Sequence, residues 1–176
     1  CESVDLDALQ SLARIARNSE GAGSLQPIPP LGQRIAIAKD DAFAFSYAMV
    51  LDGWRNSGAE LTFFSPLADE APEKNADAIY LPGGYPELHA PRLAANQNFM
   101  EQLRAGARRE AAIYGECGGY MVLGEALIDG EGHAHEMAGL LRLTSSFAER
   151  RLHLGYRLIT TLAPTPLGDP GTKYRG

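Results

Sequence analysis

Ala111-Ala112-Ile113-Tyr114-Gly115-Glu116-Cys117-Gly118-Gly119-Tyr120-Met121-Val122-Leu123 is the stretch whose reading decides the fold. A short apolar strand runs into a glycine turn with one cysteine at its tip, and a helix opens directly behind it. Gly115-Glu116-Cys117-Gly118-Gly119 has the G-x-S-x-G spacing of a nucleophile elbow, with sulfur in place of the hydroxyl. The spacing has a steric cause: a nucleophile on so sharp a turn sits in strained backbone, and flanking glycines let neighbouring chain and substrate come close. A helix starting at Gly118 or Gly119 aims free N–H groups at the sulfur, an arrangement that suits a reactive thiolate. The competing reading is an inert, buried cysteine in a Gly-rich loop.

Upstream, the same alternation recurs. Arg34-Ile35-Ala36-Ile37-Ala38, Glu60-Leu61-Thr62-Phe63-Phe64 and Asp77-Ala78-Ile79-Tyr80-Leu81 read as short apolar strands. Between the first two, Phe43, Tyr47, Val50, Leu51 and Trp54 recur at helical steps until Gly58. Two more helices fit Pro86 to Ala95 and Asn96 to Arg109, and the helix behind the cysteine is expected to reach about Leu127. Strands alternating with helices predict an α/β fold: a mostly parallel sheet in the middle of three layers, with helices on both faces. After Asp129 the pattern changes. Glu136 to Leu143 and Arg151 to Thr161 read as strands joined without a helix, so some antiparallel pairing is expected towards the C-terminus.

Asp5 to Arg17, with Leu6, Leu9, Leu12 and Ile15 at helical spacing, reads as a short amphipathic helix. Asn18 to Gly32 is rich in Gly, Ser and Pro, as an extended linker would be. Residues 1–32 are therefore expected to be the tail of a preceding domain plus a linker, and residues 33–176 the domain proper, incomplete at its C-terminal end.

The 176 residues suffice for one domain with a real core, and a formal charge of −6 without any basic cluster argues against nucleic acid as a partner. No apolar run approaches the ~20 residues of a membrane span, so no membrane association is expected. Two cysteines, Cys1 and Cys117, make no disulfide framework, which points to a reducing cytoplasm. A homodimer is left open.

In an open parallel sheet, ligands bind where the strands end. Three loops converge there: Lys39 to Phe45, Pro82 to Glu87, and Gly115 to Gly119. The Gly83-Gly84 pair can turn backbone N–H groups towards a developing negative charge and, with the N–H of Gly118, form an oxyanion hole beside Cys117. The alternative is a plain tight turn before a helix. A cysteine nucleophile also needs a base. His89, His153, His133 and His135 are the candidates, and none follows a later strand ending beside the elbow. His133 and His135, in a polar Gly-rich stretch, read as a solvent loop rather than metal ligands. No metal site is expected, and no P-loop sequence is present.

Four motifs in order carry a resemblance. Asp41-Ala42-Phe43-Ala44-Phe45-Ser46-Tyr47, Phe64-Ser65-Pro66-Leu67, Leu81-Pro82-Gly83-Gly84-Tyr85-Pro86-Glu87 and Glu116-Cys117-Gly118-Gly119 together resemble the glutaminase domain of the cobyrinic acid a,c-diamide synthase family, which includes hydrogenobyrinic acid a,c-diamide synthases. The likeness runs from Arg34 to Gly176 and implies a flavodoxin-like fold of the class I glutamine amidotransferase type. It implies that Cys117 attacks glutamine to form a thioester, that Gly84 and Gly118 donate to the oxyanion, and that Gly83 and Tyr85 border the glutamine pocket. Such families join this domain to an ATP-using synthetase domain, so ATP and Mg²⁺ are expected there and no cofactor within this chain. The corrinoid substrate, with or without cobalt, is expected to be met through that other domain; a relative acting on nickel sirohydrochlorin is a further option. In this family the catalytic histidine lies in a Gly-His-Glu-Phe-His-like motif after a Tyr-x-Gly end. The chain ends at Tyr174-Arg175-Gly176, so the fragment is expected to hydrolyse glutamine poorly. Two other readings stay open: a non-catalytic docking domain, and a cysteine hydrolase or redox sensor on the same fold.

Overall fold

The structure, a computed structural model, describes residues 5–13, 28–149, 155–165 and 168–175. Four parallel strands, β1 (Arg34–Ala38), β2 (Glu60–Phe64), β3 (Ala78–Leu81) and β4 (Ala112–Gly115), form a sheet in the order β2-β1-β3-β4. The strands read as apolar runs because both sheet faces are covered. Ala36, Ala38, Ile79 and Leu81 face a cluster with Leu93, Phe99, Met100, Leu103 and Val122. Ile35, Ile37, Ala78 and Tyr80 face the other way, against Leu51 and Trp54. The first cluster is supplied by α3 (Ala90–Ala95), α4 (Gln97–Arg108) and α5 (Gly118–Val122), the second by α2 (Ala48–Asn56). Three layers with helices on both faces result, as the alternation predicts. Burying each large side chain of these clusters contributes about 1.5–3 kcal/mol.

The chain leaves β1 for one edge of the sheet and later returns to the other side of β1 as β3. The crevice between the carboxyl ends of β1 and β3 is thus the topological switch point. Asp40 fastens one wall of it. Its carboxylate accepts from the Ala42 N–H at 2.9 Å, the Leu67 N–H at 2.8 Å and the Ser65 hydroxyl at 2.9 Å.

Beyond β4, a second sheet has the order β6-β5-β7, with β5 (Ala126–Ile128) antiparallel to β6 (Ala134–Glu136) and parallel to β7 (Thr144–Ser146). An antiparallel pair, β8 (Leu158–Thr160) and β9 (Lys173–Arg175), follows. Arg104 ties α4 to the second sheet, its Nε donating to the Ala138 carbonyl at 2.9 Å and a terminal nitrogen to that of Met137 at 2.9 Å.

Several boundaries differ from the expectation, each for a packing reason. Helix α2 starts at Ala48, because Phe43 is fully buried from the loop after β1 and only mimics a helical position. Helix α5 has five residues instead of reaching Leu127. Its last carbonyls are taken by the next layer: Val122 accepts from Ala138 at 3.0 Å, and Leu123 from Leu140 and Leu141 at 2.9 Å each. Leu127 is instead buried in β5. The strand expected over Glu136 to Leu143 ends at Glu136, and pairing resumes only at Thr144. Of the strand expected over Arg151 to Thr161, Leu158–Thr160 pairs as a strand, while Arg151 to Leu154, with His153, lies outside the described residues. His135 lies half-buried in β6 rather than in a solvent loop, whereas His133 is exposed in the connection before that strand. Helix α1 (Leu6–Leu12) is capped by Asp5, whose carboxylate accepts from the Ala8 N–H at 2.9 Å, and Leu6, Leu9 and Leu12 are exposed.

Candidate active site

Cys117 stands on the turn between β4 and α5 with φ 49° and ψ −114°. Among the described residues, the other non-glycine residues at positive φ are Asp69 and Glu110, and Asp69 (φ 57°, ψ 27°) is an ordinary left-handed helix end. Cys117 lies well away from that basin, in backbone that costs of order 1–3 kcal/mol. The cysteine is exposed, which removes the reading of a buried inert thiol.

The glycines around it are required by close approach. A Cβ on Gly119 would collide with the Leu81 carbonyl oxygen, and one on Gly115 would lie 2.8 Å from the Gly119 carbonyl. A Cβ on Gly84 would strike the Ala42 carbonyl oxygen, and one on Gly118 would lie 2.6 Å from Pro86 Cδ. The β1, β3 and β4 loops are therefore in mutual backbone contact. Gly83 reaches the nucleophile itself, since its Cβ position is 3.3 Å from Cys117 Cβ. Among the described residues, the N–H groups of Gly84 and Gly118 have no acceptor. Tyr85 is exposed and meets Phe45 edge-on, ring centroids 5.1 Å apart, forming a wall of the same mouth. The predicted set Gly83, Gly84, Tyr85, Cys117 and Gly118 is thus brought together.

The candidate bases are not. Asp129 engages the histidines of the β5–β6 hairpin: His135 Nε2 lies 2.8 Å from its carboxylate, and the His133 N–H donates to it at 2.9 Å. The His135 hydrogen bond, helped by the His133 and Glu131 N–H groups, holds the Asp129 carboxyl down at about 2. His89 is half-buried between the turn at Pro86–Leu88 and α3, and no described histidine has a hydrogen bond to Cys117.

Glu116 is the residue that reading the sequence missed. Its backbone N–H donates to the Leu81 carbonyl at 3.1 Å, and its own carbonyl accepts from the Gly119 N–H at 2.8 Å. It lines a cavity of about 690 Å³ with Tyr47, Trp54, Tyr80 and Tyr114. Burial pushes the Glu116 carboxyl above its ordinary range, outweighing the opposing influence of the nearby Tyr80 hydroxyl and Gly83 N–H. Burial and the neighbouring Glu116 push Tyr80 and Tyr114 up as well. The available signal was strand alternation, which sets Glu116 on the same face as Tyr114, beside Tyr80 of the paired strand.

A strained, exposed thiol with two free backbone donors beside it is equipped to attack an acyl carbon and hold the resulting oxyanion. Comparison with known proteins agrees with that geometry. Residues 34–176 match the CobB/CobQ-like glutamine amidotransferase domain. The chain is 54% identical over 167 residues to a hydrogenobyrinate a,c-diamide synthase of Brucella anthropi, covering 95% of this chain and 38% of that protein. A synthase of the same name from a Sinorhizobium species is 56% identical over 172 residues, covering 98% and 40% respectively. That of Rhodobacter capsulatus is 53% identical over 173 residues, covering 98% and 39%. The chain therefore spans about two fifths of the length of the curated relatives it matches. With the elbow, the glycine-paired loop and the match over residues 34–176 in hand, the chain belongs to the CobB/CobQ-like glutamine amidotransferase domain family.

Proposed function

We propose that this chain is the glutamine-hydrolysing part of an ATP-dependent ligase that amidates the a and c carboxylates of a corrinoid. The cobalt-free substrate, hydrogenobyrinic acid, is favoured over cobyrinic acid because the relatives carry that name. The single observation that carries the reaction is Cys117 at φ 49°, exposed, with Gly83 packed on its Cβ and free N–H groups on Gly84 and Gly118.

In this reading, Cys117 Sγ forms a bond to the side-chain amide carbon of glutamine, and the carbonyl electrons move onto oxygen. That oxyanion is held by the Gly84 and Gly118 N–H groups. Collapse expels the nitrogen, protonated, as ammonia and leaves a thioester. Water then cleaves the thioester to glutamate and restores the thiol. Gly83 and Tyr85 border the bound glutamine. The proton carrier is assigned to none of His89, His133 or His135. ATP and Mg²⁺ are assigned to a separate synthetase domain, which residues 1–32 would adjoin, and released ammonia reaches the corrinoid through it.

The test is intact mass after exposure to a diazo-ketone glutamine analogue, with a Cys117→Ser variant beside it, in a protein of the relatives' full length. A single adduct on Cys117 is expected. Cys117→Ser is expected to lose glutamine-dependent amidation by at least about 10³-fold while amidation from free ammonia persists. Equal loss from both nitrogen sources would overturn the reading.

A further inference from the structure

The turn after β1 is the floor under the loop that carries one of the two free donors, and Asp40 makes that turn. Its carbonyl accepts from the Phe43 N–H at 3.0 Å and one carboxylate oxygen from the Ala42 N–H at 2.9 Å, so main chain and side chain close the same few residues. The other carboxylate oxygen accepts from the Ser65 hydroxyl at 2.9 Å and the Leu67 N–H at 2.8 Å, which ties the turn to the chain leaving β2. Ala42 and Phe43 are fully buried, and the Phe43 ring meets Phe99 of α4 edge-on, centroids 6.5 Å apart. Hydrogen bonds and burial together give the turn one position.

The Gly83–Gly84 peptide rests on that floor. A Cβ on Gly84 would strike the Ala42 carbonyl and would lie 3.0 Å from Phe43 Cα, so no side chain separates the two backbones. Further along the turn, the Phe45 N–H donates to the Gly83 carbonyl at 2.9 Å, within an isolated antiparallel bridge between the two loops. The consequence follows from peptide geometry. The Gly83 carbonyl and the Gly84 N–H belong to one trans unit and point in opposite directions. The bond to Phe45 therefore aims the Gly84 N–H away from Phe45. A peptide between two glycines is the one most easily flipped, because neither residue has a Cβ to resist rotation. The turn from Asp40 to Phe45 supplies the restraint that the two glycines lack.

Resting on the glutaminase reading, we propose that Asp40 is a positioning residue: by fixing the turn it keeps the Phe45 N–H on the Gly83 carbonyl, so that the Gly84 N–H stays aimed at the oxyanion formed at Cys117. Asp40 touches neither glutamine nor the oxyanion in this scheme. Its effect appears in the rate of the chemical step and not in the affinity for glutamine.

The experiment compares Asp40→Ala and Asp40→Asn in the full-length enzyme, well below the melting temperature of each. It measures kcat and KM for glutamine, amidation from free ammonia, and alkylation of Cys117 by iodoacetamide, which needs the thiol but no oxyanion donor. Ala removes all three acceptor contacts and is expected to lower the glutamine-dependent kcat by about 10- to 100-fold, as a displaced donor does, with KM changed by less than about threefold. Asn keeps the side-chain volume and one acceptor oxygen, and carries the test alone should Ala fold poorly. It is expected to lower kcat by about 3- to 10-fold, as loss of one hydrogen bond does, again with KM little changed. Ammonia-dependent amidation and iodoacetamide labelling are expected to stay at wild-type rates in both. A wild-type kcat in either variant, or a loss that lies in KM, overturns the positioning role. A parallel fall in iodoacetamide labelling overturns it as well, because the fault would then lie at the thiol and not at the donor. Retention of glutamine use by Cys117→Ser overturns the glutaminase reading instead, so the two failures are distinct.

Discussion

Glu116, at the carboxyl end of β4, and Asp129, in the turn between β5 and β6, are both half-buried carboxylates. Their surroundings act in opposite senses. Asp129 is satisfied by its own hairpin: the N–H groups of Glu131 and His133 and the ring of His135 all come from within six residues. Its carboxyl is held low and its bonds stay within that hairpin. Glu116 is desolvated enough that burial raises its carboxyl, and its backbone groups join the end of β3 to the first turn of α5. One carboxylate closes a turn; the other is desolvated beside a strained cysteine. Cost without local return is the better marker of function, since folding alone gives no reason to keep it.

The largest expected effect comes from removing both the thiol and the strain. Cys117→Gly leaves a residue at ease at φ 49° and is expected to abolish glutamine-dependent amidation while raising stability by about 1 kcal/mol. Glutamine-dependent turnover and thermal melting of the full-length protein check the two halves. A lower melting temperature would mean that Cys117 is not strained, and the contrast between the two regions would lose its main support.

A second comparison separates steric need from dihedral need. Gly119 is hemmed in by the Leu81 carbonyl, and Gly132, at φ 89° in the β5–β6 hairpin, has open space around its Cβ position. Gly119→Ala is expected to cost about 1–3 kcal/mol or more by overpacking and to displace the elbow, with loss of glutamine turnover. Gly132→Ala is expected to cost about 1–2 kcal/mol by conformation alone and to leave turnover intact. Gly132→Asn, which tolerates the left-handed region, recovers most of that cost. Denaturant unfolding reads all three. Similar losses for Ala and Asn at position 132 would show packing, not φ, to be at work there.

The parallel sheet and the elbow were legible because their signals are local: apolar runs of strand length, a helical period, and glycines at fixed steps from Cys117. Gly83 and Gly84 could be paired with Cys117 because parallel strands end on one side, a rule of topology rather than of sequence. The role of Glu116 was hidden because it depends on register. Only the pairing of Tyr80 with Tyr114 and of Leu81 with Gly115 sets Glu116 beside Tyr80 in one cavity wall. The start of α2 was misplaced because a buried loop residue, Phe43, fell on the helical period. The end of α5 was misplaced because N–H groups from Ala138, Leu140 and Leu141 in the next layer, not a local stop signal, take its last carbonyls.

The smallest expected effects are those of pH, and they have opposite signs at the two carboxylates. Asp129 falls from an ordinary 3.8 to about 2, so its contribution to stability is fully present above about 3.8 and is lost as pH falls through about 2. Glu116 is raised above its ordinary 4.5, so its contribution is most favourable below 4.5 and is lost as pH rises through the raised value. Asp129→Asn is therefore expected to lower the melting temperature by at most a few degrees at neutral pH, with the gap closing as pH approaches 2. Glu116→Gln removes a desolvated charge and is expected to raise the melting temperature slightly at neutral pH, with the gain disappearing below about pH 4.5. Melting curves of both variants between pH 2 and 7 decide the matter. Two gaps of the same sign would mean that Glu116, like Asp129, is a structural anchor, and the strain argued for the cysteine end would then rest on Cys117 alone.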